Sequence, residues 1–439
     1  MSHDGHELIQ RLATAAGIPS GVHLQIADRC NHACLHCYQV QGRKGELSTD
    51  EIKAILDDLA RSGVMLLNVS GGEATLRPDL LEILAYARQI GFAVRLFTNA
   101  YTMTDELAQA LRRIGLLGVD VSIYSDDPDQ HDSVTRVPGS HARTLAGIRS
   151  MLAAGLRVHL KTPTTSASPD AGQRVQRLAK ELGHGVNVLT SFDITPMETG
   201  DLSSREMLAA PEDLVARGLM KPWQPGERTS SSALEKPTCG ACKDGVAVMP
   251  NGDLRPCTDI VAPVGNLRER RFLELYREPG PQMVRELTWA SIHGCRDCDL
   301  RAACERCHAH AANESGDLLG PYASGCRSAL ARYRGGLAAR TLSLTDVSTS
   351  PPPLPELTFL PPGPGCAPDR SPTMGPFAIV EPGVLQPIAD VLTADDLERR
   401  EEFPWVRPSR QDLERLSYGE QGPSERKRLP VISRPSGRV

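Results

Sequence analysis

Between residues 22 and 196, short apolar runs alternate with longer amphipathic stretches. The runs Val22–Ala27, Val64–Ser70, Ala93–Thr98, Val119–Tyr124, Arg157–Thr162 and Val186–Ile194 read as strands. Each is short and apolar, as expected of parallel strands buried on both faces. Ser48–Ser62, Arg77–Ile90, Thr104–Ile114, His141–Ala154 and Ala171–Leu182 read as helices. Ser48-Thr49-Asp50-Glu51 is a capping-box pattern, Pro78 suits a first turn, and Gly91, Gly115, Gly155 and Gly183 stand where C-cap residues belong. Six βα repeats predict an α/β fold, a partial (β/α)6 TIM-like barrel, with a doubly wound open sheet the alternative on pattern alone.

Outside these repeats the pattern changes. Residues 1–20 hold a short helix at 5–16 and a linker, and the barrel is expected over 21–200. Residues 201–235 read as a linker. Residues 236–334 carry Gly and Pro turns, little periodicity and most of the remaining cysteines, so this small region is expected to lean on metal sites. Residues 335–439 form a Pro-rich tail, with Ser350-Pro351-Pro352-Pro353-Leu354-Pro355 and Pro361-Pro362-Gly363-Pro364-Gly365, which reads as largely disordered. Thr393-Ala394-Asp395-Asp396 is a possible cap for a short helix through Glu402.

Composition narrows the function. The 439 residues are 40% hydrophobic with a net charge of −5, enough for a real core and no sign of a nucleic-acid partner. No run of 18 apolar residues exists, so no membrane span is expected, and the N-terminus lacks a secretory pattern. Twelve cysteines without an export signal fit a cytoplasmic chain whose clustered thiols bind metal.

The first cluster is Cys30-Asn31-His32-Ala33-Cys34-Leu35-His36-Cys37, just after the first strand. Three thiolates on one loop can hold three irons of a cubane, leaving the fourth free, whereas a four-cysteine cluster is full and suits electron transfer. A structural zinc site, the simpler alternative, usually uses paired CxxC knuckles. Ser70-Gly71-Gly72-Glu73 follows at the end of the second strand, Thr98-Asn99 ends the third, and Ser122 stands near the end of the fourth. Arg136 lies between strand four and its helix, and Lys161 projects from strand five. Ile194-Thr195-Pro196 ends the sixth. Later come Cys239-x2-Cys242, Cys257, Cys295-x2-Cys298-x5-Cys304-x2-Cys307 and Cys326: eight cysteines, enough for two fully ligated four-iron clusters or for zinc ribbons.

The CxxxCxxC loop and the Gly-Gly-Glu turn resemble those of radical S-adenosylmethionine (radical SAM) enzymes, and the later cysteines resemble the SPASM extension of family members that modify peptides and proteins. The resemblance spans roughly residues 20–330. It implies a catalytic [4Fe-4S] cluster on Cys30, Cys34 and Cys37 that binds SAM through its open iron and cleaves it to methionine and a 5′-deoxyadenosyl radical. It also implies SAM contacts at His36, Tyr38, Gly71, Gly72, Glu73, Asn99, Ser122 and Arg136. The family usually has Pro after Glu73; here it is Ala74. Two auxiliary [4Fe-4S] clusters would use Cys239, Cys242, Cys257 and Cys307, and Cys295, Cys298, Cys304 and Cys326. The last interval is x2 where the family pattern has x3, which bears on the assignment of Cys304 and Cys307.

The expected activity is radical modification of a ribosomal peptide or protein side chain, by cross-linking or oxidation. The implied partners are an electron donor such as flavodoxin or ferredoxin, with a separate peptide-recognition protein as a further candidate. A small-molecule substrate (tetrapyrrole, sugar or cofactor precursor) and a non-catalytic zinc-stabilised binding protein are the alternatives. Cys366 reads as a bystander, and His131, His141, His293, His308 and His310 as ordinary surface residues or supports behind a metal site.

Overall fold

The structure, a computed structural model, describes residues 10–13, 15–42, 45–183, 185–197, 201–224, 234–344, 377–381 and 384–387. Six parallel strands form its centre: β1 Gly21–Gln25, β2 Leu66–Ser70, β3 Ala93–Thr98, β4 Gly118–Ser122, β5 Val158–Pro163 and β6 Asn187–Ser191. They pair in chain order, β1 through β6, each neighbour in parallel register. The sheet does not close between β6 and β1. Beyond β1 it continues into β7 Gly245–Val248, β8 Asp253–Arg255 and β9 Gly265–Asn266, with β7 parallel to β1 and the last two antiparallel. The sheet is thus an open partial barrel extended by a C-terminal hairpin.

Helices cover one face: α1 Thr49–Arg61, α2 Leu80–Gln89, α3 Asp105–Ile114, α4 Pro128–Thr135, α5 Ser140–Ala153 and α6 Ala171–Leu182. Ser48 caps α1 as its pattern predicts, accepting from Glu51 N at 3.2 Å while Glu51 Oε2 accepts from Ser48 N at 2.7 Å. Val22, Leu24, Leu67, Val69, Val94, Leu96, Val119, Val121, Val158 and Leu160 point to this side and bury against Ile52, Leu56, Leu59, Ile83, Leu84, Leu111, Ile148 and Met151.

The opposite face departs from the expectation of apolar strands on both sides. It carries His23, Gln25, Asn68, Ser70, Arg95, Asp120, Ser122, His159 and Lys161, at the alternate positions of each strand. Strand alternation puts every second residue on one side. Short runs with only two or three polar letters hide that alternation. The inner face is therefore polar.

Four further differences concern segments expected to be irregular and one domain boundary. The segment between β4 and α5, expected as loop, contains α4. The expected linker holds a 3₁₀ turn at Ser203–Met207 and the helix α7 Pro211–Ala216. Beyond β9 come α8 Phe272–Tyr276, α9 Pro279–Glu286, α10 His308–Ser315 and α11 Ala323–Leu344, so one helix runs through the expected domain boundary at 335. In the expected disordered tail, Phe377–Glu381 and Val384–Pro387 pair as an antiparallel hairpin. Residues 5–9 of the expected first helix, the Pro-rich runs, Cys366 and the cap at Thr393 lie outside the described residues. No helix among the described residues is long and apolar enough to cross a membrane.

Candidate functional site

The cysteine loop leaves β1 at the strand's C-terminal end, where parallel barrels place their chemistry. Backbone bonds from two directions hold it. Gly72 N donates to Ala27 O at 2.8 Å and Glu73 N to Arg29 O at 2.9 Å. Ala33 N and Leu35 N donate to Thr135 O and Val134 O, each at 3.0 Å. A Cβ on Gly71 would fall 2.6 Å from Ala27 O, and one on Gly72 2.4 Å from Arg29 O. The two glycines are thus required by the packing of the cysteine loop itself, before any ligand is considered.

Glu73 is 1% exposed and fully used. Its Oε1 accepts from Thr75 N at 3.0 Å, Thr75 Oγ1 at 2.6 Å and Thr98 Oγ1 at 2.6 Å, and its Oε2 from Asn99 N at 2.6 Å. The carboxylate therefore ties the end of β2 to the end of β3. Asn99 Nδ2 in turn donates to Asn31 Oδ1 at 2.7 Å and approaches Cys30 Sγ at 3.9 Å. Tyr38 Oη accepts from Gln25 Nε2 at 2.9 Å, at the top of β1. Ser122 ends β4 on the inner face. Arg136 is exposed in the left-handed region, φ 59° and ψ 26°, immediately after the two residues that pair with the cysteine loop. The structure thus gathers the expected residues at neighbouring strand ends, with Arg136 at the rim.

Burial pushes the Cys30 thiol up to about 12, helped by Glu73, Cys34 and Cys37, and pushes Cys34 up to about 11, with Cys37 adding to it. Thiols raised in this way lose their protons near neutral pH only against positive charge, of the kind bound iron would supply. His32 N donates to Cys30 Sγ at 3.4 Å. Burial lowers His36 to about 4, so it is a neutral ring, packed edge-on against Tyr124 at 5.0 Å. Tyr124 Oη lies 3.7 Å from Cys34 Sγ. The sequence reading missed this contact, although Tyr124 stands only two residues beyond Ser122.

The later cysteines gather in two sets. Cys239 interacts electrostatically with Cys307, Cys242 with Cys239, and Cys257 with Cys307. Cys304 interacts with Cys295, Cys298 and Cys326. Burial is the main cause raising Cys242 and Cys304, each to about 12, and Cys295, to about 11. Arg306 Nη1 lies 3.8 Å from Cys295 Sγ. These donor sets suit iron–sulfur ligation at both places. Asp259, Cys307 and His310 also bring three donor atoms within 4.8 Å of one another, a set that would fit a single divalent ion.

Of the five scattered histidines, His131, His141, His308 and His310 are buried and His293 is half-buried, so the surface reading falls and that of supports remains for His308 and His310, just after Cys307. His310 joins the two halves. Its Nδ1 lies 2.8 Å from Asp193 Oδ2 beyond β6, and its Nε2 3.7 Å from Asp259 Oδ2 beside Cys257. Burial alone would lower it, but Asp193, Asp259 and Cys307 outweigh burial and raise it to about 11. Arg205 extends the link, 3.2 Å from Asp193 and 2.8 Å from Glu314. Nothing local in the sequence marks these partners.

Residues 24–190 match the model of the radical SAM superfamily, and residues 239–299 match SPASM, an iron–sulfur cluster-binding domain. The AdoMet-dependent heme synthase of Methanosarcina barkeri is 28% identical over 328 residues, 66% of this chain and 91% of that protein. The PqqA peptide cyclase of Rhodopseudomonas palustris is 36% identical over 137 residues, 30% of this chain and 36% of that protein. Among solved structures, Streptococcus suis SuiB bound to its precursor peptide SuiA superposes with a TM-score of 0.55 at 15% identity, covering 74% of this chain and 80% of that one. The enzyme anSMEcpe with bound AdoMet gives 0.53 at 14% identity, covering 75% and 99%.

Proposed function

Because the chain belongs to the radical SAM superfamily and carries a SPASM domain, we propose that it is an oxidoreductase acting on a peptide or protein side chain. The observation that carries the radical site is the convergence of Cys30, Cys34 and Cys37 with Glu73 and Asn99 at adjacent strand ends. Cys30, Cys34 and Cys37 would hold the catalytic cluster. What that cluster supplies, once bound, is an open iron for SAM and the electron that cleaves it to methionine and a 5′-deoxyadenosyl radical. The chain's own residues do the rest. Glu73 fixes the strand ends that shape the SAM site, and Asn99 braces the loop through Asn31. His36, neutral and half-buried, presents a ring rather than a charge to that site. Asn99, Ser122, Tyr38 and Arg136 would orient SAM. The inner face of the barrel receives the substrate and excludes water from the radical.

Cys239, Cys242, Cys257 and Cys307 would hold one auxiliary cluster, and Cys295, Cys298, Cys304 and Cys326 the other. With four thiolates each, both would be closed to substrate and suited to carrying the electron released when the substrate radical is oxidised. A reduced flavodoxin or ferredoxin would supply the initial electron, and a separate recognition protein could deliver the peptide. The peptide reading draws on the SPASM domain and on the peptide-bound state of the similar SuiB structure. A second reading, a tetrapyrrole substrate, is favoured by one observation: the heme synthase similarity spans 91% of that protein, while the peptide cyclase match stops at 36% of its own length.

The test is anaerobic incubation with SAM, reductant and deuterated candidates. Deuterium passing from a labelled peptide into 5′-deoxyadenosine supports the first reading; transfer from a tetrapyrrole alone replaces it with the second. Iron near 12 per chain with matching sulfide is expected for three four-iron clusters, as an order-of-magnitude count. A few zinc ions without sulfide would remove the enzyme reading.

A further inference from the structure

Three charged side chains share the inner face of β3, β4 and β5. Asp120 is 3% exposed and accepts from Arg95 Nη1 at 2.7 Å through Oδ1. Its Oδ2 lies 3.9 Å from Lys161 Nζ, outside hydrogen-bond range. Two cations thus divide one carboxylate. The Lys161 ammonium sits 4.2 Å over the Phe97 ring, and Phe97 meets the His23 ring edge-on at 5.5 Å.

The rings around this pair add no negative charge. His159 Nδ1 lies 3.4 Å from Arg95, and burial followed by the Arg95 charge disfavours a proton on His159. His23 is lowered to about 4 by burial and by Lys161. Lys161 itself is lowered, first by loss of water and then by Arg95, with Asp120 only partly compensating. The cluster therefore holds a surplus positive charge in a partly dehydrated place. Its exposed part is Lys161, whose side chain is 38% open while Asp120 lies behind it. The β4–β5 register sets Lys161 beside Ser122, at the level of the strand ends and on the face that the helices leave free.

A partly dehydrated ammonium with an incomplete partner gains from an anion that brings both charge and acceptor oxygens. We propose that Lys161, positioned by Asp120 and Phe97, binds a carboxylate of the substrate inside the barrel. This rests on the reading that the inner face is the substrate cavity. The carboxylate could belong to an Asp or Glu of a peptide or to a propionate of a tetrapyrrole. The recognition chemistry is the same for both.

The test uses the full chain with its clusters and SAM loaded. In one arm, random peptides are selected on a display library, and acidic winners are compared with their Asn or Gln counterparts. In the other, Fe-coproporphyrin III is compared with its tetramethyl ester. In at least one arm the acid should bind at least ~10-fold more tightly than its neutral counterpart, as expected for a charge-assisted contact. Lys161→Met keeps the stem over Phe97 and should abolish that preference, Lys161→Arg should retain it, and Lys161→Glu should select basic peptides instead. The proposal is overturned if neither acid beats its neutral counterpart in the wild type, or if the preference survives in Lys161→Met. It is overturned equally if Lys161→Met weakens SAM and keeps the acid preference, because Lys161 would then serve SAM. Absence of 5′-deoxyadenosine from the reduced wild type is a separate result, one that removes the enzymatic reading.

Discussion

In the barrel, Cys30, Cys34 and Cys37 lie within one run of eight residues and are held by backbone bonds from β2 and α4. In the C-terminal region, eight cysteines are spread from 239 to 326, and side chains do much of the holding. Arg306 donates to Leu318 O at 2.7 Å, Arg332 to Ala303 O at 2.9 Å, and Tyr322 Oη accepts from Cys307 N at 2.9 Å. Regular structure pre-shapes the first site before any metal arrives. The second has few strands and rests on side-chain contacts, so bound metal would add more to its cohesion. Strand ends fix the first donor set through backbone bonds; the later set is fixed by side chains, and a metal held there would add to its cohesion.

The sharpest break in this comparison is Cys30→Ala. It should abolish 5′-deoxyadenosine formation and remove roughly four of about twelve irons, leaving the auxiliary irons in place. Retained SAM cleavage would mean the loop is not the catalytic ligand set. Next in size are Cys307→Ala and Cys304→Ala, read by thiol alkylation and mass mapping. Cys307→Ala should expose Cys239, Cys242 and Cys257, and Cys304→Ala should expose Cys295, Cys298 and Cys326. If both variants expose the same thiols, the partition of the two sets is wrong.

Smaller effects probe the scaffold. Gly72→Ala drives a methyl into Arg29 O, 2.4 Å from the new Cβ, and should destabilise the chain by about 1–3 kcal/mol in denaturant melts. A neutral result would show that the loop shifts freely. Asp79→Asn tests the clamp that Arg77 makes between Ile26 O, Leu47 O and Asp79. The Arg77 hydrogen bond holds Asp79 down to about 2, below its ordinary 3.8. Its contribution is therefore present above about pH 4 and lost as pH falls through 2. The wild type should exceed Asp79→Asn by about 1–2 kcal/mol at neutral pH, a gap that closes on acidification. A gap that is constant with pH would assign the effect to packing.

Much of the barrel was legible because its signals are local. Ala93–Thr98 and Ala171–Leu182 begin and end where their apolar spacing and Gly183 place them. The chemistry of the strand ends was legible for the same reason, since Cys, Gly and Glu occur in short contiguous runs. The helix at Pro128–Thr135 was hidden because Asp-Pro-Asp reads as a turn, although Asp127 there accepts from Asp129 N and Gln130 N as an N-cap. The polar inner face was hidden by runs too short to show their alternation. The link from His310 to Asp193 and Asp259 was illegible for a deeper reason: it joins residues far apart in the chain, and only the fold brings them together.

β1 has one further consequence, which concerns time. It pairs with β2 on one side and with β7 on the other, and Ser20 Oγ donates to Asp244 O at 2.6 Å across 224 positions of chain. During synthesis one edge of this central strand waits for a partner made much later, with its amides and carbonyls unmet. A nascent chain stalled before residue 245 would present that edge to other chains. The latest-made part of the sheet thus acts as the seal on its earliest strand.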